Sequence, residues 1–217
     1  MRRLPLLAYA SLSLFALPFG AGAPPPASAT TTTLVLADLD DGIAVHGAST
    51  FTWRSDLRPV TAVPSLLTVP EGSWNYVVFD LSQVSAHAQV TSARFDLFAS
   101  AVKGGTLPST SLGASGLLSG TILSASTPPV SGTRSPDFTS HALQSVPIQH
   151  AGGSRWFANL VSALNEARAQ GDRFFIVTWS VLPTSSALPD AIAWADREST
   201  ARSVILAPTL TLEFLRP

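Results

Sequence analysis

The chain has 217 residues, 13 basic and 14 acidic side chains and no cysteine, with 46% hydrophobic residues. That length suits one domain, or one domain with an appendage. Disulfides, thiolate metal sites and a cysteine-borne lipid anchor are excluded, and the balanced charge supplies no basic patch for nucleic acid or an anionic membrane surface.

Met1-Arg2-Arg3 leads into an apolar run from Leu4 to Phe19, followed by small residues. This is the grammar of a cleavable secretory signal. The run falls short of the roughly 20 residues that span a bilayer, and Pro5 and Pro18 interrupt it, so cleavage is expected rather than anchoring. Ala21-Gly22-Ala23 and Ala27-Ser28-Ala29 both fit the small-x-small rule. Cutting after Ala29 is favoured, because Pro24-Pro25-Pro26 directly follows the earlier site. Loss of Arg2 and Arg3 takes the 13 basic residues to 11 against 14 acidic ones. Residues 30–217 are then a secreted single domain, extracellular or periplasmic, able to bury a core without staples. No later segment reaches spanning length.

Strand signals dominate that domain. Thr32 to Leu36 is rich in β-branched residues. Asp40-Asp41-Gly42 reads as a turn, after which Ile43-Ala44-Val45 resumes an extended stretch. Ser65 to Val69 is stopped by Pro70. From Asn75 to Leu81 the apolar Val77, Phe79 and Leu81 share one face. Between Val90 and Ser100, Ala93, Phe95, Leu97 and Ala99 point one way and Ser92, Arg94 and Asp96 the other. Phe98 breaks the polar side, which implies a partly covered face. Residues 104–140 are rich in Ser, Thr, Gly and Pro, and are expected to hold one or two short edge strands within loop. Trp156, Leu160, Val161, Leu164 and Ala167 fall at helical spacing, with Ser154 as a start cap and Gly171 as a stop. Arg173 to Val181 is nearly continuous in apolar residues, as in a central strand covered on both faces. Thr209 to Phe214 alternates with a period of two and buries Leu210, Leu212 and Phe214. Short strands, turn chemistry and one helix predict an all-β fold: an antiparallel, jelly-roll-like β-sandwich with one short helix.

This order of segments resembles the exported β-sandwich domains called DNRLRE domains, related to the disaggregatase repeat and to a family of carbohydrate-binding modules. The resemblance rests on Asp41-Gly42-Ile43-Ala44-Val45, Leu67-Thr68-Val69, Tyr76-Val77-Val78-Phe79-Asp80-Leu81-Ser82 and Val90-Thr91-Ser92-Ala93-Arg94-Phe95-Asp96-Leu97. Later come Trp156, Trp194, Arg197-Glu198 and Pro208-Thr209-Leu210-Thr211-Leu212. It spans nearly all of residues 30–217, and its most specific part runs from Tyr76 to Leu97. The family's middle carries Trp-containing strands, whereas residues 104–150 hold no Trp. A family ligand surface on those strands is therefore absent or rebuilt here.

No reactive constellation is visible. His46, His87, His141 and His150 show no paired metal-ligand spacing and read as loop histidines. Gly-x-Ser-x-Gly is missing; Gly116-Leu117-Leu118-Ser119-Gly120 has its serine one place late. Asp96, Asp190, Asp196 and Glu198 could serve glycoside hydrolysis only if a pair met across a cleft. Asp80 and Asp96 read better as facing solvent or paired with an arginine such as Arg94, and Asp196-Arg197-Glu198 as a structural ion pair. Asp38, Asp40 and Asp41 offer hard oxygen ligands in one turn, a candidate for structural calcium or simply an acidic turn; the glycine and the twelfth position do not fit an EF-hand. No other cofactor is expected. Trp156, Trp179 and Trp194 are assigned to the core. Trp53 and Trp74 are the candidates for an exposed sugar-stacking platform, with Arg54 as hydrogen-bond donor, or else they cover the core. The leading expectation is a non-catalytic module that binds polysaccharide or sits in an extracellular matrix. The alternatives are a structural or adhesive surface protein with no small-molecule site, and a polysaccharide-degrading enzyme.

Overall fold

Alternating and doubly apolar segments need cover on one or both faces, and antiparallel pairing builds from them the sheet whose halves can supply it. The computed structural model describes residues 30–46, 50–57, 60–62, 73–85, 88–103, 118–136, 142–181, 191–195 and 207–216. The expected signal segment with its cut after Ala29, the strand at 65–69, His87, His141, Asp190, Asp196 and Glu198 lie outside those residues.

The strands are β1 (Thr30–Ala37), β2 (Asp40–His46), β3 (Thr50–Arg54), β4 (Val60–Ala62), β5 (Trp74–Asp80), β6 (Gln89–Lys103), β7 (Leu118–Ala125), β8 (Arg134–Pro136), β9 (Gln144–Gly152), β10 (Arg155–Asn159), β11 (Phe174–Val181), β12 (Ala191–Trp194) and β13 (Thr209–Arg216). Among the described residues one α-helix, α1 (Val161–Ala169), sits between β10 and β11, and a short 3-10 turn covers Leu81–Gln83. The hydrogen-bonded order is β1-β13-β6-β10-β9-β7-β11-β5-β2-β3-β8, with β12 branching from the far end of β6 and carrying β4. Every pairing is antiparallel.

The fold is all-β, and its two halves form one continuous sheet folded over on itself. β9 is the corner: Gln144 to Ile148 pair with β7, and Gln149 to Gly152 with β10. Ring contacts prove that the halves face each other. Phe95 of β6 lies 6.1 Å from Phe79 of β5 and 6.2 Å from Trp179 of β11, strands far apart in the pairing order. The interior holds Val77, Phe79, Phe95, Leu97, Phe175, Val177, Leu210, Leu212 and Phe214. Each such side chain stabilises the fold by about 1.5–3 kcal/mol through its burial.

β11 shows why its sequence lacks alternation. Phe175, Val177 and Trp179 enter the interior, while Phe174 and Ile176 join a second apolar cluster on the opposite side of the same half. Thr178 is fully buried there and donates its hydroxyl to the carbonyl of Thr121 at 2.9 Å. α1 packs against the interior through Ala163, Leu164 and Ala167. Gly171, at φ +77°, ends the helix: its N–H donates to the Arg168 carbonyl and that of Asp172 to the Ala167 carbonyl.

Several expectations are corrected. Trp156 lies on β10, not on the helix, and Ser154 occupies the β9–β10 turn rather than a cap. The apolar residues at 156 and 158 alternate into the interior before the 3.6-residue period begins at Leu160. β7 is central rather than an edge, lying between β9 and β11, although β8 is an edge strand. Asp40-Asp41-Gly42 is not a turn; these residues pair with Val78, Val77 and Tyr76 as part of β2. Gly42 serves close approach instead, since a Cβ there would sit 2.3 Å from the Arg54 carbonyl oxygen. His46 and His150 also lie in strands rather than loops.

Candidate functional site

The expected aromatic platform comes together in space but is not open. Ala44 pairs with both Trp53 and Trp74, so the two indoles flank it on one face of β2, β3 and β5. That face belongs to the second apolar cluster, with Phe51, Tyr76, Val78, Leu123, Phe174 and Ile176. Trp53 is only 4% exposed, stacks edge-to-face on Tyr76 at 4.9 Å and donates Nε1–H to Ser135 Oγ at 2.5 Å. Trp74 is half-buried against the same cluster. Trp53 is therefore a packing residue: β8 and the turn before it are held alongside, Gly132 N–H donating to the Trp53 carbonyl and Trp53 N–H to that of Thr133, and Ser135 takes up its indole N–H. Arg54 alternates away from this face, and its guanidinium fork is engaged by Asp56, with Nε–Oδ1 2.7 Å and Nη2–Oδ2 2.6 Å. Asp56 is accordingly held down to about 2, first by that hydrogen bond.

The acidic trio divides. Alternation sends Asp40 and Asp41 to opposite faces of β2, and Asp38 is buried between β1 and β2. Asp40 accepts from the Tyr76 hydroxyl at 3.3 Å. Burial, then the charge of Asp40, pushes the Tyr76 phenol well above its ordinary range. Among the described residues no three His, Asp or Glu side chains gather as a metal-holding group.

The interior tryptophans form a chain of rings. His150 meets Trp156 at 4.4 Å, Trp156 meets Trp194 at 5.0 Å, and Trp194 meets Trp179 at 6.0 Å. All four are buried, as expected for the three tryptophans, and His150 Nε2 lies 2.9 Å from the Gly153 carbonyl. The two tryptophan pairs meet edge-to-face and the His150–Trp156 pair is tilted, which is packing geometry.

An open array of functional side chains lies elsewhere, on the outer face of the half formed by β1, β13, β6, β10 and β9. Here Asp96 of β6 is 5% exposed and sits between two arginines. Arg94 Nε lies 3.1 Å from each carboxylate oxygen, and Arg155 reaches Oδ1 with Nε at 2.9 Å and Nη2 at 2.8 Å. Several charge-assisted bonds offset the cost of burying that carboxylate. Each guanidinium in turn lies over a half-buried phenylalanine: Arg94 Cζ is 4.7 Å from the Phe157 centroid and Arg155 Cζ 6.0 Å from that of Phe98. Pairing register places them. Phe98 stands opposite Arg155, and Asp96 opposite both Phe157 and Thr209. Thr211, Glu213, Thr33 and Val35 extend the same face toward β1.

Flat rings, planar guanidinium groups and hydroxyls on one open sheet face can cover the apolar side of a ring-shaped ligand and bond its edge. The Asp96–Arg94 pairing and the covering over Phe98 were legible in the sequence. Arg155 and Phe157 were missed, because a helical reading of Trp156 hid the strand alternation on either side of it. No family model matches this chain, and no curated protein is significantly similar to it.

Proposed function

We propose that the protein is a secreted, non-catalytic β-sandwich that binds polysaccharide through the outer face of β6 and β10. The observation that supports this most is the layered row of Phe98, Arg155, Asp96, Arg94 and Phe157 on a sheet face where both arginines are exposed. A sugar ring would lie on the phenylalanine and guanidinium planes, with its hydroxyls bonded by N–H groups and by the threonines of β13. Such contacts are few and shallow, so each site binds weakly and gains from multivalency. The resemblance to DNRLRE domains agrees with this reading but moves the ligand surface: the Trp-bearing middle strands of the family give way here to an arginine–phenylalanine row.

A glycan-array screen of the chain, with and without calcium, tests the reading. Binding is expected, and Phe157→Ala and Arg155→Ala should each weaken it while the fold stays intact. Either no binding to any glycan, or binding indifferent to both substitutions, would overturn it. A second reading, a structural surface protein with no small-molecule site, is favoured by one feature, the long uncharged edge strand β1.

A further inference from the structure

An edge strand exposes unpaired N–H and C=O groups, and proteins blunt such edges by shortening them, bending them, or placing charge or proline there. Two free edges among the described residues follow that rule. β4 and β8 are three residues each, and β8 carries Arg134 and Pro136. β1 does the opposite. It runs for eight residues, Thr-Thr-Thr-Thr-Leu-Val-Leu-Ala, without charge, glycine or proline. It pairs with β13 residue for residue from Thr30 to Ala37, with no bulge to twist it away. Among the described residues, nothing follows it on its other side in the pairing order. Its outer-face residues Thr31, Thr33, Val35 and Ala37 are exposed, Val35 at 59%.

We propose that β1 is a docking edge for β1 of a second copy of this chain, the two pairing antiparallel about a two-fold axis. The strand suits itself as a partner. It carries no charge to repel its copy, and a two-fold at Leu34 sets Val35 opposite Thr33 and Leu36 opposite Thr32. Exposed residues thereby meet exposed ones and interior residues meet interior ones. β-Branched cross-strand pairs of this kind stabilise a sheet. An isologous contact closes at two copies, and the other edges are too short to continue a filament. The pairing joins two outer faces into one surface and presents two copies of the Phe98–Phe157 row side by side.

Sedimentation velocity of the full chain across a concentration series tests this. A monomer–dimer equilibrium is expected. Thr33→Lys combined with Val35→Lys, both on exposed positions, should weaken it by about tenfold or more while the melting temperature stays unchanged. A chain that stays monomeric throughout, grows into larger assemblies, or dimerises equally well with both lysines overturns the proposal. Because the chain has no cysteine, Thr33→Cys introduces a single thiol. Oxidation should cross-link that variant and leave Val130→Cys, placed at a residue also 59% exposed but away from β1, as monomer; equal cross-linking of the two also overturns it. Neither readout depends on glycan binding.

Discussion

The two halves of the folded sheet share one interior but turn opposite characters outward. The half built on β6 and β10 shows its surroundings two arginines that lie over half-buried phenylalanines and hold a buried carboxylate between them. The half built on β5 and β11 places Trp53, Tyr76, Val78, Phe174 and Ile176 in the same position, and those residues are covered. An outward tryptophan is thus structural on one side, while outward phenylalanines are accessible on the other. Residue type alone does not make a ligand surface; the burial of its neighbours decides.

Substitutions can break or sharpen that contrast. Trp179 belongs to the interior common to both halves, so Trp179→Ala should cost about 3–5 kcal/mol in urea unfolding. A benign result would mean that the halves do not share that interior. Trp53→Ala should cost about 3 kcal/mol, at the low end of the same range, and leave glycan binding as it was; lost binding with unchanged stability would restore the indole as a platform and collapse the distinction between the faces. Asp96→Asn should cost about 1–3 kcal/mol by removing the charge that both arginines bond and by replacing one acceptor oxygen with a donor, and a loss of glycan binding with it would show that the network positions the guanidinium groups. Phe157→Ala should cost about 1 kcal/mol or less, as a half-exposed residue does, with its main effect on binding.

Acid should act least, and on the half built on β5 and β11, where both depressed carboxylates lie. Asp80 is held well below the ordinary carboxylate value by its two bonds from Arg173, at 3.1 and 2.8 Å, and Asp56 is lowered to about 2 by Arg54. Groups with depressed folded-state values contribute stability above their unfolded value, 3.8 here, and lose it as pH falls through the folded one. Melting temperature should therefore hold from neutral pH to about 4 and decline toward about 2, less steeply in high salt because both pairs are exposed. A decline beginning near neutral pH would point to other groups.

Much of the fold was legible in the residues. The alternation of β6 and β13 set their interior faces, and the unbroken apolar run of β11 implied cover on both sides. Two local signals misled. Asp40-Asp41-Gly42 has turn composition, yet its glycine answers a backbone passing close by, which no local rule contains. Trp156 fits helical spacing, yet the helix begins only at Val161, after a strand too short for its period to stand out. The candidate site was half legible: Arg94 and Asp96 are two apart on one strand, whereas Arg155 joins them from 59 residues away.

By itself, then, the sequence determined the secondary-structure class, the inward residues of the longest strands, the core placement of Trp156, Trp179 and Trp194, and the lack of any disulfide. Those properties follow from side-chain period and composition, which are local. Only the tertiary structure decided that Trp53 is covered, that Asp40 and Asp41 part company, that β9 joins the halves, and that β1 ends the strand order among the described residues. Each of those depends on which distant strand lies alongside, and pairing order is not written in the pattern of any single strand.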